Sequence, residues 1–109
     1  ISTGGQLRSD FNMLCGKWTI DFLERLNINS AFISAAGISD EMGITSSDIE
    51  LVNILSVVIK KSKEVNLLVD STKFGKVGMI EICPINNITR IITDKCFKTN
   101  FKFFIIIFF

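Results

Sequence analysis

The chain contains no histidine. That removes Ser-His and Cys-His nucleophilic catalysis and leaves carboxylates and lysines for acid and base work, so an ordinary hydrolase is not expected. Paired cysteines are missing as well. Cys15, Cys83 and Cys96 form an odd set with no C-x-x-C spacing, which points away from a disulfide framework or a zinc site and toward reduced thiols in a cytoplasm. They read as small buried apolar residues, with no electropositive group placed to activate a thiolate. No basic segment followed by an apolar stretch resembles a signal peptide. The longest apolar run, Phe101 to Phe109, carries Lys102 and reaches only half of the roughly 18 residues that span a bilayer. A basic stripe is also lacking. Twelve Lys and Arg against eleven Asp and Glu leave a scattered net charge of +1, so the isolated chain has no electrostatic footprint for nucleic acid.

What is present reads as a single domain, since 109 residues suffice for one core but are short for a doubly wound α/β domain. The chain starts at Ile1, and Thr3-Gly4-Gly5 reads as the end of a strand whose body is missing, so a fragment is expected. From Lys17 to Leu26, the spacing of Trp18, Phe22, Leu23 and Leu26 predicts a surface helix with those residues in the core. Ala31 to Ala36 is a short apolar run ending at Gly37, the pattern of a strand buried on both faces. Residues 37 to 47 read as loop. Ser47-Asp48-Ile49-Glu50 matches a capping box with Ser47 as the cap, opening a nearly all-apolar helix through Lys63. Lys60, Lys61 and Lys63 then form a solvated helix end where the macrodipole prefers cations. Further strands are predicted at Val65 to Val69, Met79 to Ile82 and Arg90 to Thr93, the first followed by a loop over Ser71 to Gly78. Alternating strands and helices indicate α/β architecture with a parallel sheet.

In such a sheet the carboxyl ends of the strands share one edge, where open α/β folds bind ligands. The groups delivered there are Thr3-Gly4-Gly5, Gly37-Ile38-Ser39, Asp70-Ser71-Thr72-Lys73 and Thr93-Asp94. Their chemistry suits a phosphorylated ligand. Gly4 and Gly5 let backbone amides approach an anion, Thr3 can donate a hydroxyl, and Arg8 and Lys73 supply positive charge. Asp70 is suited to binding sugar hydroxyls or to orienting Lys73.

The strings Ser2-Thr3-Gly4-Gly5-Gln6-Leu7-Arg8, Ala31-Phe32-Ile33 leading to Gly37-Ile38, Gly43-Ile44-Thr45, Val69-Asp70-Ser71-Thr72-Lys73-Phe74-Gly75 and Ile91-Ile92-Thr93-Asp94 resemble, in order and spacing, the C-terminal effector domain of DeoR-family transcriptional regulators. The resemblance covers residues 2 to about 95. It implies a three-layer parallel-sheet fold like that of ribose-5-phosphate isomerase, glucosamine-6-phosphate deaminase and CoA-transferases, incomplete at both ends. It implies recognition of a phosphorylated sugar or polyol without a cofactor. DNA would be reached only through a helix-turn-helix upstream, and the intact protein would be a cytoplasmic homo-oligomer. The effector contacts carried over are Thr3, Gly4, Gly5 and Arg8, then Gly37, then Asp70, Lys73 and Phe74.

Two departures stand out. The family's Glu and Lys, four apart in the helix after residue 48, fall on Leu51 and Leu55 here, replacing residues that look like cleft residues. The family pattern also gives way at residues 96–109 to an apolar tail, for which a frameshift near residues 100 to 103 and aggregation of the isolated chain are expected. Two competing readings follow. One is a sugar-phosphate isomerase using Asp70 and Lys73 as acid and base, weakened because the expected acidic cluster is reduced to Asp40 and Glu41. The other is an inert pseudogene remnant.

Overall fold

The computed structural model describes residues 1–94 and the backbone of residues 106–108. Its centre is a parallel sheet of β3 (Ile28–Ile33), β6 (Ser62–Leu68), β8 (Arg90–Thr93) and β9 (Ile106–Phe108), in the order β3-β6-β8-β9. Ala31 pairs with Val65, Ile33 with Leu67, and Leu67 with Ile91, which puts alternate apolar residues of three strands on one face. Those residues are buried and form the core with Ile38, Ile44 and Ile82. Parallel neighbours require a long crossover. Between β3 and β6 it is supplied by a hairpin and α2 (Ile49–Lys61), whose Val52, Leu55 and Ile59 lie one turn apart and dock on the sheet. Lys60 and Lys61 occupy the last turn of α2, opposite its acidic cap.

A short hairpin, β1 (Gln6–Arg8) with β2 (Met13–Cys15), precedes α1 (Lys17–Leu23). A second, antiparallel sheet is built from β4 (Gly37–Ser39), β5 (Gly43–Ser46) and β7 (Ile80–Cys83).

α/β architecture with a parallel sheet is therefore observed, but several local expectations are corrected. Residues 37 to 47 are a β-hairpin, β4 and β5 turning at Gly43, whose φ of +69° suits glycine. The strand at Met79 to Ile82 is Ile80–Cys83 and joins β5 antiparallel, outside the parallel sheet. The α2 cap is Asp48, which accepts from the Glu50 and Leu51 amides, because its extended backbone and short carboxylate reach both; Ser47 is exposed and instead accepts from the Met79 amide. The third strand begins at Ile28 and ends at Ile33, and it is buried on one face only, with Phe32 67% exposed on the other. α2 stops at Lys61 as Ser62 enters β6, and α1 stops at Leu23.

Trp18 was expected in the core and is 79% exposed. The inner positions of α1 are Thr19 and Leu23, rotated by one residue from the apolar count. Thr19 takes the inner place, where its hydroxyl donates to the Gly4 carbonyl.

Cys15 and Cys83 are free thiols buried in the packing, as read; Cys96 lies outside the described residues. Burial, with a smaller contribution from Glu81, pushes the Cys83 thiol up to about 11. The frameshift reading of the tail falls on residues that lie, apart from the backbone of 106–108, outside the described set; Ile106–Phe108 pairs parallel to β8 with Ile91 opposite Ile106. No helix among the described residues is long and apolar enough to cross a membrane.

Candidate ligand site at the carboxyl edge

The first loop is shaped by glycine geometry. Gly4 and Gly5 have φ of +67° and +115°, conformations that L side chains rarely adopt. A Cβ on Gly5 would stand 2.1 Å from Thr19 Oγ1 and 2.7 Å from the Cys15 carbonyl, so the backbone there is packed against α1 as closely as glycine allows. Thr19, 2% exposed, donates to the Gly4 carbonyl at 2.8 Å and lies 3.1 Å from the Cys15 carbonyl, pinning the loop to the helix that follows. The Thr3 hydroxyl turns to the Gly4 carbonyl at 3.0 Å.

Arg8 leaves β1 toward the start of α2. Its Nη1 donates to both Asp48 carboxylate oxygens at 2.9 and 2.8 Å, its Nη2 to Asp10 at 3.1 Å, and its guanidinium carbon lies 4.7 Å from the centre of the Phe11 ring. Asp10 and then Asp48 raise the Arg8 pKa further. The Leu51 amide, and after it Arg8, holds the Asp48 carboxyl below its ordinary range.

The second and third loops are joined to each other. Ile38 and Phe74 form a parallel bridge, and the Gly75 amide donates to the Ile38 carbonyl at 2.9 Å. A Cβ on Gly37 would lie 2.2 Å from the Lys76 carbonyl oxygen, so glycine at 37 is what lets the third loop close over β4. Thr45, buried, donates from Oγ1 to the Gly37 carbonyl at 3.3 Å and accepts from the Gly78 amide at 2.8 Å. Asp70 caps the single 3-10 turn Ser71–Lys73, taking the Thr72 hydroxyl and amide, and those two bonds, with Lys73 and Lys76 adding less, lower its pKa. Asp94, at the end of β8, accepts from the Ser71 amide at 2.7 Å, the leading cause of its own lowered pKa.

The candidate residues are thus brought together in part. Gly37 and Phe74 belong to one interlocked pair of loops. Arg8 is tied to the cap of α2, whose preceding residues Thr45 and Ser46 pack on Gly78. Two different depressions result. One, of about 340 Å³, is lined by Leu68, Asp70, Ile92, Thr93 and Asp94. The other, of about 600 Å³, is lined by Gly4, Gly5, Cys15, Lys17 and Trp18. A further 340 Å³ cleft lies at the amino edge of β6 between Lys60, Lys63, Cys83 and Asn87, away from all the candidate residues.

Leu55 is buried in the core and Leu51 packs against it, so in this chain both positions serve packing under α2. The residues missed by sequence reasoning are Asp48, Thr19 and Thr45. Asp48 carried a signal, an Asp immediately before an apolar helix. Thr45 stood in the Gly43-Ile44-Thr45 string without a role and Thr19 carried no signal, because their partners are backbone carbonyls and amides that only the folded chain brings close.

The loops that follow β3, β6 and β8 meet at the carboxyl ends of the parallel sheet, the edge at which open α/β folds bind ligands. A family model described as the DeoR C-terminal sensor domain matches residues 1–95, and the chain belongs to that family. It is similar to the HTH-type transcriptional regulator IolR of Bacillus subtilis (strain 168), 38% identical over 73 residues, covering 67% of this chain and 29% of that protein. It is also similar to the glycerol-3-phosphate regulon repressor of Escherichia coli (strain K12), 29% identical over 94 residues, covering 86% of this chain and 37% of the repressor. The lactose phosphotransferase system repressor of Staphylococcus epidermidis (strain ATCC 12228 / FDA PCI 1200) is 31% identical over 92 residues, 84% of this chain and 36% of its own length. The chain thus spans about a third of the length of these relatives.

Proposed function

We propose that this chain is the effector-sensing part of a transcriptional regulator of sugar metabolism, and that the carboxyl-edge loops bind a phosphorylated sugar or polyol. The observation that carries the reading is the interlocking of the second and third loops at Gly37, Ile38 and Phe74, to which the chain adds a first loop of two left-handed glycines. The effector contacts of this reading are Thr3, Gly4, Gly5, Arg8, Gly37, Asp70, Lys73 and Phe74, of which Gly4 and Gly5 line one depression and Asp70 lines the other. Names of relatives such as the glycerol-3-phosphate regulon repressor support a phosphorylated small molecule as the class of effector. Recognition of DNA through a helix-turn-helix, and assembly into a homo-oligomer, are proposed for the intact regulator. The three-layer fold of ribose-5-phosphate isomerase and its kin is the architecture this reading adopts, with residues 1–95 as the sensor and residues 96–109 as an apolar tail beyond the family pattern, of which Ile106–Phe108 adds a strand to the sheet.

Binding without turnover is the reading adopted for the site. Asp70 is already committed to Thr72 and its carboxyl is stabilised as the anion, which makes it a poor proton donor. The test is the thermal unfolding of the purified chain with a panel of phosphosugars and their unphosphorylated parents. Stabilisation by a phosphosugar and not by its parent is expected; conversion of the sugar would establish an enzyme, and indifference to every compound would make the chain an inert remnant.

A further inference from the structure

Trp18 is the sole tryptophan of the chain. α1 buries Thr19 and Leu23, and leaves the indole outside the core. Exposing an aromatic of that size is unfavourable unless something covers it. Trp18 lines the 600 Å³ cleft together with Gly4, Gly5, Gly16 and Lys17. At Gly4 and Gly16 no atom lies within 4 Å of where a Cβ would stand, so the backbone there faces open space. Lys17 is paired with Asp21 at 2.5 Å, but both side chains are at least half exposed, and such surface pairs are weak enough to yield to a better anion.

The lining thus combines two chemistries, a lysine with glycine backbone and an aromatic side chain. A phosphosugar in ring form offers a counterpart to each, a dianionic phosphate at one end and a flat face of C–H bonds at the other. A cleft of this volume is of the size that encloses small ligands. We propose that Trp18 and Lys17 are effector-contacting residues, Trp18 stacking on the C–H face of a ring-form phosphosugar while Lys17 and the Gly4-Gly5 backbone hold its phosphate. The proposal rests on the phosphosugar reading above and narrows it, since an acyclic triose or polyol phosphate offers no flat face to an indole. It also accounts for a tryptophan standing where the apolar spacing of the helix called for a core residue.

Because the tryptophan is single, its emission reports on the cleft alone. The purified chain is titrated with glucose 6-phosphate, fructose 1-phosphate, glycerol 3-phosphate and glucose, following Trp18 fluorescence and the melting temperature in parallel. The ring-form phosphosugar that raises the melting temperature is expected to change Trp18 emission over the same concentration range. Trp18→Leu is expected to keep the ligand-free melting temperature and to weaken binding about tenfold, and Trp18→Phe to recover part of it. Lys17→Gln is expected to weaken the phosphosugar and leave glucose unaffected. Stabilisation with unchanged emission, unaltered binding by Trp18→Leu, or tightest binding of glycerol 3-phosphate would overturn the role of Trp18 while leaving phosphosugar sensing intact. If none of the compounds stabilises the chain, both readings fall.

Discussion

Arg8 and Asp48, forty positions apart, meet through one guanidinium nitrogen that lies 2.9 and 2.8 Å from the two carboxylate oxygens. The same carboxylate accepts the Glu50 and Leu51 amides, so a single side chain both caps α2 and ties the first hairpin to it. The two roles separate under mutation. Asp48→Ala removes cap and ion pair together and is expected to lower the melting temperature by about 4–8 °C, the range for losing a helix cap in a domain of this size. Asp48→Asn keeps a capping oxygen and is expected to lose less than half of that. Circular dichroism melts of the two variants check the order, and equal losses would show that the ion pair, not the cap, matters.

The same carboxylate makes stability depend on acid. Asp48, Asp70 and Asp94 are all held below their ordinary value of 3.8 by the hydrogen bonds they accept, from Leu51, Thr72 and Ser71 respectively. A carboxyl with a depressed folded-state pKa stabilises the fold above its unfolded value and loses that contribution as pH falls through the folded value. The chain should therefore melt at a constant temperature from pH 7 to about pH 4 and progressively lower beneath it. Asp70→Asn should flatten that acid slope, which melts at a series of pH values would reveal.

Thr19 offers a test of the first loop. Its buried hydroxyl donates to the Gly4 carbonyl and lies close to the Cys15 carbonyl. Thr19→Val keeps the shape and leaves both carbonyls without that donor, and it should cost about 1–3 kcal/mol. Thr19→Ser, which keeps the hydroxyl, should recover much of the loss. Urea denaturation distinguishes them, and a Val variant as stable as the parent would remove Thr19 from the architecture of the loop.

Gly37 and Gly4 should respond differently to alanine. At Gly37 a Cβ meets the Lys76 backbone, which cannot move without opening the third loop, and overpacking of that kind costs about 1–3 kcal/mol or more. At Gly4 the space is open and only the left-handed backbone is strained, a penalty of about 1 kcal/mol. Gly37→Ala should be the more destabilised variant in denaturant titrations; the reverse order would mean that the second and third loops are not interlocked.

The sequence pattern exposed the parallel strands well, since Ala31, Ile33, Val65, Leu67 and Ile91 form short apolar runs between turn signals and are the residues buried against α2. The hairpin at residues 37–47 was hidden because its strands are three and four residues long, too short for alternation to register. The capping-box spacing at Ser47 drew attention one residue away from Asp48, where the backbone turns. Trp18 misled for a similar reason. Periodicity ranks side chains by hydrophobicity, whereas the inner face of α1 takes Thr19, whose hydroxyl donates to the Gly4 carbonyl. The glycines of the site were legible as residue types, but the close approaches at Gly5 and Gly37 depend on chain segments distant in sequence.

The central claim, that the carboxyl-edge loops hold a phosphorylated effector, is tested most directly by amide chemical shifts. In a titration of the isotopically labelled chain with a stabilising phosphosugar, the amides of Gly4, Gly5, Gly37 and the Asp70–Phe74 segment should move together with one dissociation constant, and the unphosphorylated sugar should leave them in place. Shifts confined to the Lys60, Lys63 and Asn87 cleft at the opposite edge, or no shifts with any phosphosugar, would contradict it.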